Sequence, residues 1–161
     1  MTTSTTVPAT PDRPVSDTDW WRQAVVYQIY PRSFADSDGD GIGDLPGITE
    51  HLPYLAQLGV DAVWMTPFMP SPGRDHGYDV SDYCDINPIH GTLADWDELA
   101  ATAGRLGIRL LVDIVPNHTS SEHAWFQELL SSAPGTAAWD RYIVREGTGP
   151  DRETPPNNWK S

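Results

Sequence analysis

Between Ala24 and Val115, short β-forming runs alternate with stripes of helical periodicity, and that alternation leaves few architectures open. Ala24-Val25-Val26-Tyr27-Gln28-Ile29-Tyr30 is a β-rich run closed by Pro31. Ile48, Leu52, Leu55 and Leu58 then recur at intervals of four, three and three, the stripe of an amphipathic helix, and Gly59 ends it. Val60 to Met65 follows at once as a second strand, closed by Thr66-Pro67. Thr92 and Asp95 form a capping pair that opens a second helix. Its apolar face is Trp96, Leu99, Ala100, Ala103 and Leu106, and Gly104 and Gly107 mark its end. Ile108 to Val115 is nearly all apolar, the pattern of a parallel strand buried on both faces.

Strand, helix, strand, helix, strand implies a parallel sheet with right-handed crossovers. A doubly wound sheet would carry a Gly-rich, phosphate-tolerant turn after its first strand, but the Gly-rich loop here is heavily acidic. A (β/α)8 barrel of the TIM type fits better, although only three of its eight strands are present. Loop lengths agree. The helix-to-strand links at Gly59 and Gly107 are minimal, whereas Pro67 to Leu93 spans 27 residues, far beyond the usual ~2–6. Barrel enzymes put their function on such strand-to-helix loops. A third loop runs from Pro116, with a short helical stretch near Trp125, Phe126, Leu129 and Leu130 and a strand-like Tyr142-Ile143-Val144. The expected fold is therefore α/β: a partial TIM barrel of three strands and two helices, followed by the start of an inserted domain. The expected division is a disordered leader at 1–19, barrel at 20–118 and inserted domain at 119–161.

The formal charge is 10 − 23 = −13, which argues against nucleic acid or an anionic membrane as partner. Cys84 is the single cysteine, so neither an intramolecular disulfide nor a multi-cysteine metal site is available. No apolar run approaches the ~20 residues of a membrane span. Met1 to Asp19 lacks the basic start and apolar stretch of a secretory signal, so a cytoplasmic protein is expected.

Asp36-Ser37-Asp38-Gly39-Asp40-Gly41-Ile42-Gly43-Asp44 sets carboxylates at alternate positions among glycines. Carboxylates packed this closely repel one another unless a cation sits among them. Calcium takes six to eight oxygens and suits the spacing better than magnesium. The loop opens like an EF-hand, but Gly47 stands where a bidentate Glu should, and a strand precedes it. A solvated Asp/Gly turn is the alternative.

In the second loop, Asp75 and Tyr78 flank Gly77 and could present a carboxylate and a ring to one sugar; an ordinary polar loop with a packed tyrosine is the simpler reading of those residues alone. At the end of the third strand, Asp113 needs a hydrogen-bonding partner. Asn117 and His118 follow at the mouth, where barrel enzymes keep their binding groups.

Taken in order, Tyr-Pro-Arg-Ser-Phe at 30–34, the acidic loop closing on Leu45, Asp-His-Gly-Tyr-Asp-Val-Ser-Asp-Tyr at 75–83 and Asp-Ile-Val-Pro-Asn-His-Thr-Ser at 113–120 resemble glycoside hydrolase family 13. The similarity is greatest to its α-glucosidase and oligo-1,6-glucosidase branch. It runs from about Trp20 to Ser161, and Pro-Pro-Asn-Asn-Trp at 155–159 resembles the start of that branch's inserted domain. Pro116 departs from the small aliphatic residue of many relatives.

The resemblance implies one structural Ca2+, held by the side chains of Asp36, Asp38, Asp40 and Asp44 and the Ile42 carbonyl. It implies that Asp75 and His118 bond hydroxyls of a non-reducing-end glucose and that Tyr78 stacks on its ring. Asp113 and Asn117 would shape the pocket floor. Family members are retaining enzymes whose nucleophile and acid/base follow later strands, so no catalytic residue is expected before Ser161. The implied function is hydrolysis of short α-glucosides from the non-reducing end, with this chain alone inactive. Glucosyl transfer or isomerisation of the trehalose synthase kind, or a non-catalytic calcium- and sugar-binding relic, are the alternatives.

Overall fold

The computed structural model describes residues 18–158. Most of the expected leader therefore lies outside the described residues, as does Trp159 of the terminal motif. The elements are β1 (Val26–Ile29), α1 (Pro31–Phe34), α2 (Leu45–Leu58), β2 (Ala62–Met65), α3 (Leu93–Arg105), β3 (Arg109–Val112) and α4 (Ala124–Ser131). Single 3-10 turns occur at Trp20–Arg22 and Trp139–Arg141. The chain divides into two units, one ending at Ser120 and one beginning at Ser121.

In the first unit β1, β2 and β3 form one parallel sheet in that order. The register aligns Tyr27, Val63 and Leu110, and two residues on Ile29, Met65 and Val112. Side chains alternate between faces along a strand, so these rows share one face. Ile29, Val63 and Met65 on that face cluster with Ile48, Leu52 and Leu55 of α2 and Leu99 of α3. Both helices therefore cover the same side of the sheet. The opposite face carries Gln28, Trp64 and Leu111 in one row, all exposed.

Local chemistry places the helices where periodicity predicts them. Asp44 caps α2, its side chain accepting from the Gly47 amide, and Gly59 ends the helix in the left-handed region at φ +88°. Thr92 and Asp95 form a reciprocal capping box on α3. Two readings need correction, and one short helix went unread. β3 is not buried on both faces, since Arg109, Leu111 and Val112 are exposed: it is the sheet's edge, with no described strand beyond it. The turn of helix at Pro31–Phe34 was hidden inside a motif too short to show a period. In the second unit Tyr142-Ile143-Val144 forms no strand. Ile143 is 92% exposed, and the only described pairing there is a bridge between Thr148 and Thr154.

Candidate sugar and cation site at the strand ends

The acidic loop leaves β1 and curls tightly on itself. Asp36 Oδ1 accepts from the Gly39 amide and Oδ2 from the Gly41 amide, each at 2.7 Å. Asp38 accepts from the Asp40 amide at 3.1 Å and Asp40 from the Ile42 amide at 2.7 Å. The Gly39 and Gly41 amides hold the Asp36 carboxyl below the usual carboxylate range. One carboxylate oxygen from each of Asp36, Asp38 and Asp40 lies within 4.8 Å of the others, with all three residues exposed. Converging oxygens without nitrogen or sulfur form a donor set for a hard cation.

Asp44 has a different role. It is 8% exposed. Oδ1 accepts from the Gly47 amide at 2.6 Å, and Oδ2 accepts from the Ser37 amide and hydroxyl at 3.0 and 2.8 Å. Burial pushes its pKa up, but these hydrogen bonds outweigh it and the net shift is downward. Since each carboxylate oxygen accepts about two bonds, Oδ1 retains capacity for one more ligand.

The second loop rises to a crest between Gly73 and Asp79. Asp79 organises it from within. Oδ1 accepts from the Ser71 hydroxyl at 2.6 Å and the Asp75 amide at 3.2 Å, and Oδ2 accepts from the Arg74 amide at 2.9 Å. Burial raises its pKa, yet these donors leave it lowered. The Asp75 carboxylate stands exposed on the crest, next to His76 in the left-handed region at φ +53°.

Asp113, at the exit of β3, accepts from Trp64 Nε1 at 2.7 Å and from Tyr78 Oη at 2.8 Å. That contact, followed by burial, raises the Tyr78 pKa and keeps the phenol protonated. Tyr78 thus binds the crest to the sheet. His118 Nε2 meets the Tyr78 carbonyl at 3.0 Å, and Nδ1 meets Asn117 Nδ2 at 2.7 Å. A carbonyl only accepts, so Nε2 donates in that contact. Both ring nitrogens are engaged, and a sugar hydroxyl would have to replace one of these partners.

The structure therefore brings Tyr78, Asp113, Asn117 and His118 together and leaves Asp75 beside them on the crest. Trp64 and Tyr83 escaped the sequence reading. Tyr83 Oη donates to the Val115 and His118 carbonyls at 2.7 and 2.9 Å, fixing the exit from β3. The indole of Trp64 looked like strand core; its register partner is Leu111, and Asp113, two residues further on and on the same face, accepts its N–H. On the β1 side of the crest lies a cavity of about 480 Å³, with Tyr30, Arg32, Met69, His76, Asn87 and His90 among its walls.

Residues 28–161 match the family model described as "Alpha amylase, catalytic domain". The chain belongs to the α-amylase family. Within that family it is similar to a probable α-glucosidase of Rhizobium meliloti (strain 1021), 58% identical over 90% of this chain and 26% of the relative. An oligo-1,6-glucosidase of Parageobacillus thermoglucosidasius is 52% identical over 88% of this chain and 25% of its own length. Among solved structures, the trehalulose synthase MutB from Pseudomonas mesoacidophila MX-45 superposes with a TM-score of 0.82 at 46% identity, covering 88% of this chain and 25% of that one. The chain thus spans about a quarter of the length of such relatives. Its three-stranded parallel sheet with helices on one face is a partial TIM barrel of the α-amylase type.

Proposed function

We propose that this chain is part of a retaining α-glucoside hydrolase that releases glucose from the non-reducing end of short maltose- or isomaltose-type substrates. The observation that carries this reading is the shared contact network of Tyr78, Asp113 and His118 at the strand ends, in a chain 58% identical to a probable α-glucosidase. In this reading Asp75 and His118 grip hydroxyls and the Tyr78 ring packs on the pyranose. One Ca2+ is held by Asp36, Asp38 and Asp40, the remaining capacity of Asp44 and the Ile42 carbonyl. When bound, it would neutralise the mutual repulsion of these carboxylates and hold the loop's curvature.

Retaining hydrolysis needs two carboxyls about 5–5.5 Å apart across the scissile bond. Asp113 is committed to Trp64 and Tyr78, and Asp75 belongs to the hydroxyl-gripping crest. Neither is placed as nucleophile or acid, so the 161-residue chain is expected to bind without turnover. The test compares p-nitrophenyl α-glucoside hydrolysis by this chain and by a protein of the relatives' full length carrying it. Turnover by the longer protein alone supports the proposal, and turnover by the 161-residue chain overturns its catalytic part. A second reading, glucosyl transfer with isomerisation, draws on the likeness to trehalulose synthase. Sucrose converted to an isomer, not to free hexoses, would select it.

A further inference from the structure

The end of the second loop is fastened to the acidic loop through one buried side chain. His90 is 6% exposed. Its Nδ1 donates to the Gly43 carbonyl at 2.8 Å, and its own carbonyl accepts from the Leu45 amide at 2.8 Å. His90 therefore holds the chain on both sides of Asp44. Gly43 cannot drift from this grip. Its amide donates to the Arg32 carbonyl at 2.7 Å, and a Cβ there would lie 2.1 Å from the Pro31 carbonyl oxygen.

From His90 the hydrogen bonds run outward to the crest. The His90 amide donates to the Asn87 carbonyl at 2.8 Å. The Asn87 amide donates to the Phe68 carbonyl at 2.9 Å, and Asn87 Nδ2 reaches the Ser71 carbonyl at 3.4 Å. The Ser71 hydroxyl donates to Asp79, which accepts the Arg74 and Asp75 amides. Every link between the cation loop and Asp75 is thus a bonded contact.

We infer that His90 is a positioning residue that couples the acidic loop to the sugar-gripping crest, so that cation binding and crest order rise and fall together. The inference rests on the calcium and sugar reading proposed above. It also explains the residue type. A phenyl ring would fill the same space but could not donate to Gly43, whereas an asparagine places an N–H donor near the position of Nδ1.

The test follows amide hydrogen exchange at Gly73, Arg74 and Asp75 with and without calcium chloride, alongside calorimetry of calcium binding. In the unaltered chain calcium should give a binding heat and slow exchange at those amides. In His90→Phe, loss of one buried hydrogen bond should speed crest exchange up to about tenfold and weaken calcium binding by a comparable factor. Exchange at Leu52 and Leu55 in α2 should stay slow, and His90→Asn should restore both properties. Crest exchange and calcium affinity unchanged in His90→Phe would overturn the inference. So would an Asn variant no better than Phe, because bulk alone would then be the role. Should His90→Phe lose protection in α2, the calcium titration of the unaltered chain decides, and binding heat with unmoved crest amides overturns the coupling. Absence of binding heat overturns the calcium reading itself and the coupling with it, so calorimetry and exchange separate the two failures.

Discussion

Asp44 shows how one carboxylate joins sequence to architecture. Its backbone turns the chain out of the acidic loop, and its side chain caps α2 while holding Ser37. Removing an N-cap carboxylate costs about 1–2 kcal/mol. Asp44→Ala should therefore lower the stability of the first unit by at least that much in urea titrations followed by circular dichroism, since Ser37 loses its acceptor too. His90 gives a pH signature. Burial pulls its pKa below the ordinary value of 6.5, outweighing the Gly43 carbonyl's opposite effect. As pH falls through about 6.5, the unfolded chain takes up a proton that the folded chain resists, so stability should decline from neutral pH until the folded pKa is reached. Urea midpoints measured between pH 7.5 and pH 5.5 should fall with pH, and the fall should be shallower in His90→Asn. The network around Asp113 makes a further prediction. Tyr78→Phe removes one of its two side-chain donors and unties the crest from the sheet, costing about 1 kcal/mol. The cost should vanish in an Asp113→Ala background if the phenol acts through that carboxylate, which a double-mutant cycle would show.

Among the elements, α3 depends on its first turn. Thr92 and Asp95 bond each other's backbone reciprocally, so Thr92→Ala should cost about 1 kcal/mol and fray the start of the helix, measurable as faster amide exchange at Ala94 and Asp95. This capping box was legible in the sequence because its residues lie three apart and act locally. The same holds for the Gly59 stop and the α2 stripe. The solvent exposure of β3 was legible in the count of strands, three of a barrel's eight, but not in its composition: Leu110, Leu111 and Val112 read as a central strand, and composition cannot say whether a neighbour exists on the far edge. Tyr142-Ile143-Val144 failed for the converse reason. Strand-forming residues need a partner to become a strand, and none of the described residues supplies one. At the site, the need of Asp113 for a partner could be anticipated from its apolar strand. Its partners could not, because Trp64 and Tyr78 lie 49 and 35 residues away and reach it only once β2 pairs with β3 and the second loop folds back over the strand ends.

On the scale of the whole molecule, the sheet has one covered face and one open one. Trp64 and Leu111 stand in the open row at 38% and 39% exposure, in a chain of net charge −13. Repulsion between copies opposes contact at low ionic strength, but about 1 M salt shortens the screening length to roughly 3 Å and removes most of it. Sedimentation velocity should therefore show self-association that grows with salt, and Leu111→Lys should suppress it. The two ends of this sheet also differ in how much sequence they can absorb. Gly59, a single left-handed residue, carries α2 into the approach to β2. One residue inserted there would shift β2 by one position and turn Val63 and Met65 away from the helices. The same insertion between Ser71 and Pro72 would leave every strand in register and reshape only the crest. The fold thus confines heritable length variation to the end of the sheet where the proposed ligands meet the protein, so relatives can diversify what they grip while keeping the frame that grips it.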